Sequence, residues 1–594
     1  MKKSSKRKSI VKIPSCIVPK KIKTKQENKK QSGPEDSLFN DMDKYYQANL
    51  AKLTMGISPA AMATSWFSWY SQLAQSPGSL LELILFPVLH AEELGKNLIN
   101  DEKPGGGDDV RFHTENWRLF PWKFWAELFL QTETWSLNAS HNIPGLPEQV
   151  KRTISFFTRQ LLDAMSPSNF ILGNPDLLAE TFRSGGTNVV RGTELAIQDM
   201  VEKIAGLPPA GVEHFTPGIQ VAITKGKVIF RNHLIELIQY EPQTKKVYKE
   251  PILIIPAWIM KYYILDLLPE NSLVNWLTQQ GHTVFIISWQ NPGTADSDLG
   301  MDDYYRLGAM AAIDAVSHAI PKTKIHLMGY CLGGTLAMIT ASAMFENDDR
   351  RLKSLSLLAA QGDFTEAGEL LLFITPSEIS FLKNMMWEQG YLDTKQMAGS
   401  FQMLRSYDLI WSKMVQDYMH GTQRGMVALL AWNADSTRMP YKMHSEYLEK
   451  LFLNNEFSEG NYKVEGVNVV AKNIQVPAFV VSTEKDHVAP WKSVYKINLL
   501  INSDITFVLT NGGHNSGIVS EPGHHGHSYR ICERSKDAIW LSADSWLKNT
   551  PSTEGSWWVP WKTWLVKQSS AKLVNARFPE SSLPDAPGMY VLEK

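Results

Sequence analysis

The stretch from Lys324 to Phe345, KIHLMGYCLGGTLAMITASAMF, constrains this chain more tightly than any other. It opens with a short apolar strand, Ile325 to Met328, and turns sharply through Gly329-Tyr330-Cys331-Leu332-Gly333-Gly334. It then continues as an Ala/Met/Leu-rich helix without a breaker until Glu346. Strand, G-x-C-x-G, helix is the pattern of a nucleophile elbow with Cys where Ser usually stands. The spacing has a steric cause. The central residue must take strained backbone angles, and the chain doubles back so closely that side chains two positions either side would collide, so Gly329 and Gly333 carry none. The Cys331 sulfur is thereby raised above the strand at a helix N-terminus, where free N–H groups and the helix dipole favour negative charge. The Leu332 amide is then a candidate donor to a developing oxyanion. The plainer reading is a buried core cysteine, the usual fate of a free Cys; the strand-to-helix context argues for the nucleophile.

A strand that ends in such an elbow needs neighbours. Apolar runs recur at Pro251–Ala257, His282–Trp289, Ile325–Met328, Leu352–Ala360, Val476–Thr483 and Ile505–Thr510, and helical stretches such as Asp302–Ile320 separate most of them. Apolar strands alternating with helices predict a parallel sheet covered on both faces. With the elbow, the expectation is an α/β-hydrolase core. A hairpin over Val221–Tyr240, turning at Lys225-Gly226, precedes it.

The 594 residues are enough for more than one domain. Four regions are expected: a disordered basic tail over 1–40, a mainly helical N-terminal domain over 41–215, the catalytic core over 216–360 and 473–594, and an insertion over 361–472. The net charge of −1 conceals an asymmetry, because residues 1–30 hold twelve Lys/Arg and one Glu. Such a tail reads first as a solubilising extension; no interleaved aromatics suggest specific nucleic-acid binding. Pro14, Pro19 and several lysines interrupt what would have to be a signal-peptide h-region, and no run of about 18 uncharged apolar residues suggests a membrane span. Three scattered cysteines, Cys16, Cys331 and Cys532, form no disulfide framework and point to a reducing cytoplasm. Residues 41–215 carry short amphipathic segments rich in Trp, Phe and Leu, broken by Pro77, Pro87, Pro121, Pro167 and Pro175. Their apolar stripes read as core, with a partner surface as the sharper reading. The insertion, falling between two sheet strands, is expected to cap the C-terminal edge of the sheet.

A nucleophile needs a base, and the base an orienter. In this fold the chain order is nucleophile, acid, histidine. Asp486 follows the strand Val476–Thr483, and His514 follows Ile505–Thr510 behind Gly512-Gly513. Either residue alone would read as an ordinary loop group; together they stand at the expected strand ends in the expected order. His487 and Glu484 compete for the base and acid roles from the penultimate strand. The cluster His524, His525, His527 raises the question of a metal, but no Cys or carboxylate at ligand spacing joins it in the sequence, and no metal is expected.

Together these segments resemble the poly(3-hydroxyalkanoate) synthases of the long single-subunit (class I) type, from about residue 45 to the C-terminus. The match includes Ser166–Phe170, Asn174-Pro175, Ser184-Gly185-Gly186, Pro256–Leu267, Gly281–Pro292 and the elbow GYCLGGT. It continues through Arg405–Trp411, Trp432–Asp435 (WNAD), Glu484–Trp491, Gly513-His514, Ser556-Trp557-Trp558 and Pro587–Val591. The resemblance implies that Cys331 is the nucleophile, His514 its base and Asp486 the third member, which in the family is thought to help deprotonate an incoming 3-hydroxyl. It implies an oxyanion hole from the amides of Leu332 and Ile259, and Arg405 as a candidate substrate contact. The chain departs from the family at Tyr330 and Leu332, where others often carry Phe or Ala and Val, and at Pro256-Ala257-Trp258, where relatives often have a Pro-Pro-Cys type sequence. The basic tail lies outside the family pattern.

The activity implied is condensation of (R)-3-hydroxyacyl-coenzyme A, expected to be the 3-hydroxybutyryl thioester, into polyester with release of coenzyme A. Coenzyme A is then part of the substrate and no cofactor is expected. A homodimer is implied, located in the cytoplasm on polymer granules with granule-associated proteins. A thiol nucleophile suits this chemistry. Thiol-to-thiol acyl transfer is close to isoenergetic, and transfer onward to an alcohol is downhill. The alternatives are a thiol esterase or depolymerase of the same fold and, less favoured, a granule scaffold without activity.

Overall fold

The computed structural model describes residues 38–54, 56–394, 396, 406–423 and 425–594. Residues 1–37 of the expected basic tail therefore lie outside the described residues. Its last three positions do not extend it, because a helix begins at Leu38 and runs to Leu53.

Ten strands make one mixed sheet: β1 (Gly226–Arg231), β2 (Ile235–Tyr240), β3 (Ile252–Ile255), β4 (Val284–Trp289), β5 (Ile325–Tyr330), β6 (Leu352–Leu358), β7 (Ala478–Thr483), β8 (Ile505–Thr510), β9 (Ser528–Arg534) and β10 (Thr553–Glu554). Their order is β1-β2-β4-β3-β5-β6-β7-β8-β9-β10. The six central strands are parallel, and antiparallel pairs close both edges. The central runs are buried end to end, as strands covered on both faces must be. The helix Leu332–Glu346 is equally apolar and buries every residue from Leu332 to Phe345.

Two expectations are corrected. Gly226 does not turn the hairpin; it begins β1, and the reversal falls at Asn232-His233-Leu234, where Asn232 Oδ1 accepts the amides of Leu234 (2.8 Å) and Ile235 (2.9 Å). An Asx turn competes well with a Lys-Gly turn because the Asn side chain satisfies two amides itself. The strands β9 and β10 were not expected, because polar residues such as Arg530, Glu533 and Arg534 mask the alternation of an exposed edge strand.

The N-terminal helices dock on the insertion. Gln47 Oε1 accepts from Asn384 Nδ2 (2.7 Å), the Ser58 amide donates to Glu378 Oε2 (2.8 Å), and Ser406 Oγ donates to Asp163 Oδ2 (2.9 Å). The helix Thr187–Ala205 crosses the segment Met414–Met419 so closely that a Cβ on Gly192 would lie 1.8 Å from the Tyr418 carbonyl oxygen. Asn188 Nδ2 donates to Met419 O nearby (2.8 Å). By contrast the helix Pro77–Leu89 buries only Phe86, leaving Leu81, Ile84, Val88 and Leu89 exposed. Among the described residues no helix is long and apolar enough to cross a membrane.

Candidate active site

The parallel strands run to one edge of the sheet, and the loops that follow β3, β5, β7 and β8 carry Ile259, Cys331, Asp486 and His514. Cys331 occupies φ 54°, ψ −124°, a region costly for any residue with a Cβ. Its amide donates to Leu358 O of β6 (2.8 Å), and its carbonyl accepts from Gly334 N (2.9 Å) and Thr335 N (3.2 Å), so neighbouring backbone holds the strained conformation. The glycines are required by contact. A Cβ on Gly329 would lie 2.4 Å from Gly334 Cα, and one on Gly333 would lie 2.1 Å from Ile255 O and 2.5 Å from Pro256 O.

Cys331 is 9% exposed, a buried free thiol. His514 Nδ1 stands 2.8 Å from Asp486 Oδ2. An ionised carboxylate only accepts, so Nδ1 carries the proton and Nε2 is left for the chemistry. Asp486 is fully committed: Oδ2 also accepts from Thr483 Oγ1 (3.0 Å), while Oδ1 accepts the amides of Val488 (2.9 Å) and Ala489 (2.8 Å). Burial alone would raise its pKa, but His514 and these amides outweigh it and hold the carboxyl below its ordinary value. Burial alone would depress His514; Asp486 and the Cys331 sulfur outweigh it and raise the imidazole well above its ordinary value. His514 stacks on the Tyr330 ring at 5.7 Å between centroids, and the Tyr330 hydroxyl donates to Asn515 Oδ1 (2.6 Å). The competing pair, Glu484 and His487, points to solvent and joins none of this.

The Ile259 and Leu332 amides donate to no group within the described residues. The insertion latches the Ile259 loop. Thr437 N donates to Ile259 O (3.1 Å), Trp432 Nε1 to Lys261 O (2.7 Å), and the Tyr263 hydroxyl to Asp435 Oδ2 (2.9 Å). The insertion also adds aromatic rings beside the elbow: Tyr447, whose hydroxyl is held well above its ordinary pKa by burial and then by the neighbouring Cys331, packs against Trp258 (6.3 Å), Phe364 (6.4 Å) and Phe452 (5.2 Å).

Two supports of His514 escaped the sequence reading as site residues. Trp557 Nε1 donates to Gly517 O (3.0 Å) and Trp558 Nε1 to Ile518 O (3.1 Å), pinning the loop that follows the histidine. Both indoles are buried, and a buried Trp N–H seeks an acceptor; the adjacent pair at Trp557-Trp558 was the only signal available in the sequence. Arg405 lies outside the described residues.

A mainly parallel sheet, an elbow cysteine and an Asp–His pair at the strand ends define an enzyme of the α/β-hydrolase fold. Three family models match the chain: "Poly-beta-hydroxybutyrate polymerase N terminal" over residues 37–79, "Poly-beta-hydroxybutyrate polymerase (PhaC) N-terminus" over 108–277, and "alpha/beta hydrolase fold" over 250–521. The chain is 39% identical to the poly(3-hydroxyalkanoate) polymerase of Methylorubrum extorquens over 82% of its own length and 81% of the relative's. It is 36% identical to the polymerase subunit PhaC of Rhizobium meliloti (82% and 79%) and 32% to that of Cupriavidus necator (83% and 84%). The chain belongs to the poly(3-hydroxyalkanoate) polymerase family, and is thus an acyltransferase.

Proposed function

We propose that this acyltransferase polymerises (R)-3-hydroxyacyl-coenzyme A, with the 3-hydroxybutyryl thioester as its expected substrate, through a thioester on Cys331. The observation that carries the reading is the Asp486–His514 hydrogen bond, held at the strand ends beside the strained Cys331. His514 Nε2 takes the thiol proton, and the sulfur attacks the thioester carbonyl. The oxygen that becomes negative is met by the Leu332 and Ile259 amides. The C–S bond to coenzyme A then breaks, and the leaving thiolate takes the proton from His514. In the second half the 3-hydroxyl of another acyl group attacks the Cys331 thioester. A C–O bond forms, the C–S bond to Cys331 breaks, and the hydroxyl proton passes by way of His514 to the thiolate.

Asp486 accepts four hydrogen bonds and is held ionised, which makes it a weak proton acceptor. We therefore assign both proton transfers to His514 and give Asp486 the work of orienting and charging it, rather than that of base toward the incoming hydroxyl. The aromatic wall from the insertion supports polymerisation over hydrolysis, because an acyl-enzyme survives only where water is scarce. A dimer working on cytoplasmic granules completes the reading, and the exposed apolar helix Pro77–Leu89 is a surface suited to such contacts.

The test is purified protein with 3-hydroxybutyryl-coenzyme A. Wild type should release coenzyme A and turn turbid with polymer, and Cys331→Ala should do neither. Release of free 3-hydroxybutyrate without polymer would favour the thiol hydrolase; undiminished activity in Cys331→Ala would sink the thioester.

A further inference from the structure

We propose that Glu521, His524 and His527 form a binding site for a divalent metal ion of the zinc class, separate from the catalytic residues. Their ligand atoms, one from each side chain, all lie within 4.8 Å of one another, and they are the one such group among the described residues. The sequence alone leads to no expected metal, because Glu521 is not read there as a partner of the histidines; the fold brings its carboxylate to them.

The convergence comes from two successive tight turns. Pro522-Gly523 and His525-Gly526 occupy the turn positions, with Gly523 at φ 93° and Gly526 at φ 88°. Each turn advances the chain by three residues and returns it to the same side, so residues 521, 524 and 527 meet while His525 is carried away within the second turn. The sequence spacing E-x-x-H-x-x-H thus becomes a three-sided donor set.

The loop is anchored at both ends. Ser520 O accepts from Ser556 Oγ, Gly526 O accepts from Asn511 Nδ2 (2.6 Å), and His527 O accepts from the Gly555 amide (2.8 Å). Among the described residues the three side chains themselves make no hydrogen bond or ion pair. The His524 and His527 rings lie 4.5 Å apart between centroids, a crowded arrangement that two imidazolium ions would oppose and a shared cation would relieve. Zinc takes imidazole nitrogen and carboxylate oxygen at about 2.0–2.2 Å in tetrahedral array, so its ligand atoms stand about 3.4 Å apart. Small side-chain rotations close the present gap, and water completes the fourth position. The ion would clip the segment between the His514 loop and the edge strand β9.

Binding is tested on the full chain carrying Cys331→Ala, which removes the catalytic thiol as a competing ligand. The protein is stripped with chelator and titrated with zinc chloride by calorimetry. Saturable binding near one equivalent, weakened at least about tenfold by either His524→Ala or His527→Ala, is the expected result. Cobalt(II) in place of zinc should give the intense visible absorption of tetrahedral nitrogen and oxygen ligation, and the same substitutions should abolish it. Zinc should also raise the melting temperature of the parent but not of the variants. His524 is exposed, so its variant should fold normally, and an unchanged metal-free melting temperature verifies that. An isotherm untouched by either substitution, or no saturable binding at all, overturns the site.

Discussion

The Nδ1–H of His514 meets Asp486 Oδ2 at 2.8 Å, yet the two residues are 28 positions apart and hang from different strands. What brings them together is the parallel register of β7 and β8, in which Thr483 lies opposite Thr510 at the sheet edge. Each chain then leaves the sheet at the same level, and two short loops suffice to join acid and base.

Replacing Asp486 by Asn should therefore cripple both halves of the reaction. Acylation by substrate and elongation should fall together, by on the order of 10³-fold or more, since His514 loses its orientation and its countercharge. Rapid-quench measurement of the acyl-enzyme separates the two steps. Normal acylation with slow elongation would restore Asp486 as the base for the hydroxyl.

The same pair governs a pH window. Asp486's folded pKa is below its ordinary 3.8, so its contribution is lost as pH falls through that depressed value. His514's folded pKa is above its ordinary 6.5, so its contribution is complete below about 6.5 and lost as pH rises through the raised value. Wild type should out-melt Asp486→Asn most clearly near pH 6, by about 3 kcal/mol for a broken buried pair. The difference should shrink at both extremes in a melting series. A pH-independent difference would contradict the linkage.

At the elbow, Gly333→Ala should prevent correct folding. The new methyl meets the carbonyl oxygens of Ile255 and Pro256, both backbone atoms of β3 and its exit loop, which cannot rotate away. Overpacking of this kind costs about 3 kcal/mol or more, read as lost soluble yield or a lowered melting temperature. Wild-type melting and activity in this variant would mean that the elbow is looser than described.

Trp557→Phe keeps most of the buried ring but strands the Gly517 carbonyl, at a cost of about 1–3 kcal/mol. Because that carbonyl belongs to the loop behind His514, kcat should fall several-fold while KM stays put. An equal rise in KM would assign Trp557 to packing alone.

Glu378 joins the N-terminal helices to the insertion and is 4% exposed, and burial pushes its carboxyl up from 4.5 to about 7 despite the Ser58 amide. The folded state then binds the extra proton between these values, so stability declines as pH rises from about 4.5 to 7. Glu378→Gln keeps the acceptor for Ser58 and removes the charge. It should melt above wild type at pH 8, by at most about 3 kcal/mol, and match it near pH 4.5. The opposite sign would mean that the carboxylate is better solvated than its burial implies.

Much of this molecule is legible in local sequence, and the reason is steric. The elbow, the six apolar strands and the order of Cys331, Asp486 and His514 depend on contacts a few residues long or on burial on both faces, and both leave a mark on residue choice. An Asx turn at Asn232 and a polar edge strand at Ser528–Arg534 leave weaker marks, because turn chemistry has several solutions and an exposed edge tolerates charge.

What tertiary structure alone decided are the meetings of distant segments. Trp432, Asp435 and Thr437 latch the Ile259 loop, Trp557 and Trp558 brace the loop behind His514, and the N-terminal helices settle on the insertion at Ser58–Glu378 and Asn188–Met419. Glu521 reaches His524 and His527 only because two turns close on one side. Periodicity and spacing record which face of a segment is buried, but not which other segment covers it. That choice is made by the packing of the whole chain.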